Sequence, residues 1–202
     1  PIGSRGLGDV YKRQLLGNPP KEFRATSTTV TQLVDASGKL SQNRKGALIV
    51  VDLGSDLRPE DFLYSGIKIE AQLSKDLLIN LFATDTPLHD GAVLVKGNKI
   101  ISAGVILPLS RQGISRYGTR HLAALGITER FDRCICIVVS EETGTLSLAN
   151  QGKLERPITS SRLQELLIKL VGNQNTSGAP KSYSNKTNSF QKINTNDTIV
   201  EK

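Results

Sequence analysis

Between Val30 and Leu170 the apolar residues change period several times, and each change marks an element. Val30, Leu33, Val34 and Leu40 fall near a 3.6-residue repeat, which predicts a helix that packs on the next elements of the chain, although Gly38 weakens the pattern. Arg44 and Lys45 suit the negative end of that helix, and Gly46 suits its stop. From Gly46 to Leu53 the chain is almost wholly apolar and is bounded by charge and by Gly54, as a strand covered on both faces requires. That places it at the centre of a sheet. Ile67, Ile69, Ala71 and Leu73 alternate with polar residues and predict a half-buried strand. Ser74 as N-cap, Asp76 in the first turn and the apolar set Leu77, Leu78, Leu81 and Phe82 predict the helix after it.

Ala92 to Lys96, the pair Gly97-Asn98 and Lys99 to Leu107 read as a β-hairpin closed by a tight turn. The segment Tyr117 to Gly126 starts polar and becomes apolar at helical spacing; Cys134 to Val139 and Thr145 to Ala149 then predict two strands. A final amphipathic helix runs from near Thr159 to Gly172, with Leu163, Leu166, Leu167 and Leu170 on one side. No internal repeat is present. The interleaved order predicts an α/β fold with a single mixed central sheet flanked by helices.

The two ends read differently. Pro1 to Gln14, ending Asp9-Val-Tyr-Lys-Arg-Gln14, resembles a translated sequencing-library adapter and is set aside as non-native. Residues 15–29 read as a linker, 30–171 as the folded domain, and 172–202, rich in Asn, Ser, Thr and Lys, as a disordered tail that cannot bury enough surface to offset its ordering entropy. The formal charge of +7 shrinks under this division. Arg5, Lys12 and Arg13 against Asp9 contribute +2, and Lys181, Lys186, Lys192 and Lys202 against Asp197 and Glu201 another +2, leaving +3 for the rest. With no basic run interleaved with aromatics, nucleic acid is not the expected partner; a small anion such as a nucleotide is. No apolar run reaches the ~18 residues of a membrane span. Cys134 and Cys136, two apart on a strand, share a face and read as reduced core thiols, since C-x-C alone lacks a second ligand pair for zinc.

Candidate chemistry concentrates in three short polar segments at the edges of apolar elements. The chain's two histidines lie in Leu88-His-Asp-Gly-Ala92 and Gly118-Thr-Arg-His121, and the third segment is Val139-Ser-Glu-Glu-Thr-Gly144. Taken singly, these are a turn before a strand, a solvated helix start and a charged turn. Together they suggest an anion site. Gly91 after a carboxylate permits close ligand approach to the backbone, while Thr119, Arg120 and the free N–H groups of a helix start suit a phosphate. Carboxylates serving a triphosphate do so through a divalent metal, because direct contact is repulsive.

At these residues the chain resembles the diadenylate cyclase family, in particular its membrane-associated cyclic di-AMP synthases. The resemblance runs from about Val30 to Val171 through Gly46-Ala-Leu-Ile-Val50, Thr86-Pro-Leu-His-Asp-Gly-Ala92, Leu107-Pro-Leu-Ser110, Gly118-Thr-Arg-His121 and Val139-Ser-Glu-Glu-Thr-Gly144. It implies a nucleotidyltransferase that condenses two ATP molecules into cyclic di-AMP and two pyrophosphates across a face-to-face homodimer. By the same resemblance Asp90 and Gly91 are catalytic, and Ala92, Leu107, Gly118, Thr119, Arg120, His121, Ser140 and Glu141 bind ATP. His89 and Glu142 hold a divalent metal, whether Mg, Mn or Co. The domain is expected in the cytoplasm, tethered to membrane only through a region preceding it. Two departures stand out: the third position of the family's Arg-His-Arg motif is Leu122, and Ile106 stands where related cyclases often carry an aromatic against adenine. The base is then expected to be held by aliphatic contacts. Leu122 keeps a second reading open, a nucleotide-binding sensor without turnover.

Overall fold

A computed structural model describes residues 21–55, 57–112 and 117–172. Both the adapter-like start and the tail beyond 172 lie outside them. Seven strands form one mixed sheet in the order β2-β4-β3-β1-β5-β6-β7. The strands are β1 (Ala47–Asp52), β2 (Ile67–Gln72), β3 (Ala92–Lys96), β4 (Lys99–Val105), β5 (Cys134–Val139), β6 (Leu146–Asn150) and β7 (Lys153–Ile158). Helices α1 (Lys21–Gln42), α2 (Lys75–Leu81), α3 (Thr119–Arg130) and α4 (Ser160–Gly172) cover it. No described helix is long and apolar enough to cross a membrane.

The central position of β1 follows from its composition. It pairs parallel with β3 and antiparallel with β5, and all six residues are buried. Alternation sends Ala47, Ile49 and Val51 to one face, where Leu33 and Leu40 of α1, Leu78 of α2 and Leu163 and Leu167 of α4 pack. Leu48 and Val50 meet the opposite face, where Ala123, Ala124 and Ile127 of α3 join Cys134, Cys136 and Val138. The sheet is therefore the middle layer, with three helices on one side and α3 on the other. Both cysteines are free and buried, and burial pushes the Cys136 thiol well up. Asp52, the polar end of the apolar run, is tolerated because Gly54 N and Ser55 N donate to it at 2.9 and 2.7 Å and Lys96 Nζ lies 3.4 Å away.

Several local expectations change. Helix α1 starts at Lys21, inside the stretch read as linker, and continues through Gly38, where an added Cβ would lie 3.3 Å from Ser160 Oγ at the start of α4. Gly46 does not stop the helix. Arg44 does so with a left-handed backbone (φ 50°): Arg44 N donates to Ser41 O and Lys45 N to Leu40 O, a Schellman arrangement. Ser74 caps α2 as expected, accepting from Leu77 N at 3.2 Å. Strand β2 is an edge strand, so Ile67 stays 52% exposed and only part of the alternation is buried. The opposite edge, β7, carries no readable pattern: Lys153-Leu-Glu-Arg-Pro-Ile158 is mostly exposed and contains a proline, which only an edge strand accommodates.

Candidate active site

On the α3 face, at one end of the central strands, a cavity of about 460 Å³ opens to solvent. Its two walls differ in chemistry. Leu48, Val105, Ile106, Leu107, Leu109 and Ala123 make one side apolar, while His89, Asp90, Thr119, Arg120 and Glu141 make the other polar. A volume of this order, with a few convergent polar groups, suits a nucleotide-sized ligand.

The Asp90 corner is set by backbone. Gly91 has φ +118°, and a Cβ there would stand 2.7 Å from Gly104 C and 3.0 Å from Val105 O. Only glycine lets the chain entering β3 lie this close to β4, with Asp90 at the mouth. His89 is oriented by the same turn: its Nδ1 lies 2.5 Å from Thr86 O. A carbonyl can only accept, so Nδ1 carries a proton, and Nε2 is the ring nitrogen left for a ligand.

The cationic corner is the start of α3. Gly118 is its N-cap, without a capping side chain, and Thr119 and Arg120 line the cavity beside the positive end of the helix. Arg120 Nη1 donates to Glu141 Oε2 at 2.8 Å. Glu141 is 56% exposed, so this ion pair is worth at most about 1 kcal/mol and exchanges readily for a polyanion. Arg120 lies on Gly46, where an added Cβ would fall 2.5 Å from Nη1 and 2.8 Å from Cζ. Gly46 thus makes room for the guanidinium rather than ending a helix. Because the clashing atoms are the far end of a flexible side chain, Gly46→Ala is expected to change thermal stability little. It should nevertheless weaken binding of tripolyphosphate about tenfold by displacing Arg120; parallel melting curves and binding isotherms check this.

Sequence-selected residues therefore divide into two groups. His89, Asp90, Gly91, Leu107, Thr119, Arg120 and Glu141 converge on the cavity. Ala92, Gly118, His121, Ser140 and Glu142 do not line it. Ala92 is buried in the α3-side core. Ser140 Oγ accepts from Thr143 N at 3.3 Å inside the 140–144 turn, and Glu142 is exposed on that turn. His121 is 6% exposed, with Nε2 3.2 Å from Ser147 Oγ and its ring 6.2 Å from that of Tyr117. Leu122 is also buried, and its carbonyl accepts from Ser110 N. Of the two arginines in the segment before α3, Arg111 is exposed and Arg116 lies outside the described residues. Leu48, Val105, Leu109 and Ala123 were missed, because as apolar residues in apolar runs they are indistinguishable from core.

Burial, then the nearby Arg156 charge, holds the His121 imidazole below its ordinary value. The unfolded chain therefore takes up a proton at about pH 6.5 that the folded one refuses until lower pH. Stability is expected to fall as pH drops through that window, and His121→Gln should flatten the slope; denaturant midpoints at about pH 7.5 and 5.5 report it.

Among the described residues no group of three or more His, Cys, Asp or Glu could hold an ion alone. The donors on the cavity wall, His89 and the carboxylates of Asp90 and Glu141, are of the kind that would suit a divalent ion brought in with a ligand that supplies further oxygens.

The DAC family model, described as DisA bacterial checkpoint controller nucleotide-binding, matches residues 34–154. The chain belongs to this family. The chain is 40% identical over 164 residues to cyclic di-AMP synthase CdaA of Bacillus subtilis, covering 80% of this chain and 58% of that one. It is 48% identical over 132 residues to a diadenylate cyclase of Listeria monocytogenes, covering 64% and 47%. The chain thus spans about half the length of these relatives. Among solved structures, a double mutant of DacA from Staphylococcus aureus superposes with TM-score 0.65 at 37% identity, covering 71% of this chain and 95% of that one. The hypothetical membrane spanning protein from Bacillus cereus gives TM-score 0.60 at 38% identity, covering 75% and 71%. The single mixed sheet flanked by helices is the fold of these neighbours.

Proposed function

We propose that this DAC domain is a diadenylate cyclase, condensing two ATP molecules into cyclic di-AMP and two pyrophosphates. The observation that carries the reading is the polarised cavity, with a carboxylate, a guanidinium and a helix start facing an apolar wall. Adenine lies against Leu48, Leu107 and Ala123, and the triphosphate takes Arg120 from Glu141. Asp90, at the mouth, positions a ribose 3′-hydroxyl and accepts its proton. The oxygen attacks the α-phosphorus of the nucleotide in a facing copy of the domain, and the bond to the β-phosphate breaks. Two such steps form two phosphodiester bonds and release two pyrophosphates. A single copy holds one nucleotide in this scheme, so the homodimer is required and an isolated monomer is inactive. Alignment and charge compensation carry most of the rate, as usual for phosphoryl-group chemistry.

A divalent metal, Mg, Mn or Co, supplies charge neutralisation of the triphosphate when bound. His89 would hold it; Glu142, the partner the family resemblance implies, is exposed on the 140–144 turn and off the cavity wall, and the carboxylate that this turn does bring to the wall is Glu141. In a longer protein the domain sits on the cytoplasmic side, tethered to membrane through a preceding region, a reading supported by the Bacillus cereus neighbour's description.

Incubation of purified protein with ATP and manganese is expected to yield cyclic di-AMP and pyrophosphate in a 1:2 ratio. Leu122 is buried and off the cavity wall, so Leu122→Arg is expected to lower stability by burying a charge, while the rate per folded molecule changes by no more than about threefold. Leu122 is also the one observation favouring a sensor without turnover. A silent wild type that gains activity by orders of magnitude from the arginine would establish the sensor instead.

A further inference from the structure

The apolar wall of the cavity does not end at Ile106. Ile106 N donates to Tyr64 O at 2.9 Å and Tyr64 N to Ile106 O at 3.3 Å, an isolated antiparallel bridge just before β2. Residues directly opposed in such a bridge present their side chains on the same face. Ile106 lines the cavity, and Tyr64, though not itself a lining residue, shares a face with it as its bridge partner. Both are left open: Tyr64 is 55% exposed and Ile106 40%, with Leu109 on the same wall at 52%.

The other rings among the described side chains are engaged elsewhere. Phe82 is buried in the core, Phe62 packs against the α3-side cluster, Tyr117 lies between His121 and Arg156, and Phe131 lies under Arg130. Tyr64 alone presents an exposed ring beside a nucleotide-sized cavity. A base held only by Leu48, Leu107 and Ala123 would keep one edge in water, and a ring at the rim covers it. Stacking a base on an aromatic ring gives affinity that side-chain truncation removes.

We propose that Tyr64, carried across the bridge from Ile106, supplies the aromatic surface against which this domain holds the adenine of ATP. The contact comes from the segment before edge strand β2, and it replaces the purely aliphatic grip expected from Ile106. The proposal rests on the ATP reading above. Tyr64 acts in binding, so its removal should appear in nucleotide affinity and KM far more than in kcat.

The test compares full-length wild type, Tyr64→Phe and Tyr64→Ala for equilibrium binding of a non-hydrolysable ATP analogue and of tripolyphosphate, with sedimentation of each protein. The chain has no tryptophan, so tyrosine emission can be excited directly. Tyr64→Ala is expected to weaken the analogue roughly 5- to 100-fold and leave tripolyphosphate unchanged, while Tyr64→Phe stays within about twofold. The analogue should also quench part of the wild-type emission, and Tyr64→Phe should lose that quench while still binding. Equal analogue affinity in Tyr64→Ala and wild type overturns the proposal and leaves the cyclase reading standing. So does loss of the dimer with nucleotide affinity intact, which makes the ring an interface residue. A wild type that binds no analogue overturns both readings.

Discussion

Asp90→Asn is expected to reduce cyclic di-AMP formation by at least about a thousandfold while leaving the melting temperature within a degree or two of wild type. The asparagine has the same shape but no charge and no basic oxygen, so it can orient a hydroxyl yet cannot take its proton. The fold has no stake in the carboxylate. Asp90 is exposed at the cavity mouth, and its position is imposed by the backbone contact of Gly91 with Gly104 rather than by its own side chain. Nucleotide affinity should hold, because Arg120 and the apolar wall are untouched. Initial rates at saturating ATP, with melting curves alongside, decide the matter; unchanged turnover would remove Asp90 from the mechanism.

A large stability effect is expected at Gly126, where two principles disagree in sign. Inside a helix, glycine to alanine is favourable by about 1 kcal/mol. Here the added Cβ would stand 2.1 Å from Pro108 O, 2.8 Å from Ser110 N and 2.9 Å from Leu109 C. All three belong to the backbone of the loop that runs over α3, so no side chain can swing aside. Overpacking of this kind costs about 1–3 kcal/mol or more, and the steric term wins. Gly126→Ala should therefore lower stability by about 2 kcal/mol net and shift Leu107 and Leu109 on the apolar wall. Chemical denaturation measures the first effect and the KM for ATP the second. A stabilised variant would show that the loop is free to move away.

Periodicity alone determined most of the layer architecture, because an element covered on both faces must be apolar throughout and one covered on a single side must alternate or repeat. That logic placed β1 at the centre, the hairpin at Ala92 to Val105 and the leucine face of α4. At the sheet edges it found β2 from Ile67 but not how little of it is buried, and it missed Lys153 to Ile158, where no pattern is imposed. The polar motifs likewise marked the Asp90 and Arg120 corners of the cavity, since charged residues at the ends of apolar runs have few other uses. What only the tertiary structure decided is which atoms meet across distant segments. Gly46 reads as a helix stop and proves to be the space Arg120 occupies; Gly126 reads as an ordinary helical glycine and lies under Pro108. Tyr64 has no motif around it and is joined to the cavity-lining Ile106 only by the bridge between them, more than forty positions apart. Local sequence encodes burial and turn geometry, whereas close approach depends on how whole layers pack, and nothing in a glycine's or a tyrosine's immediate neighbours records that.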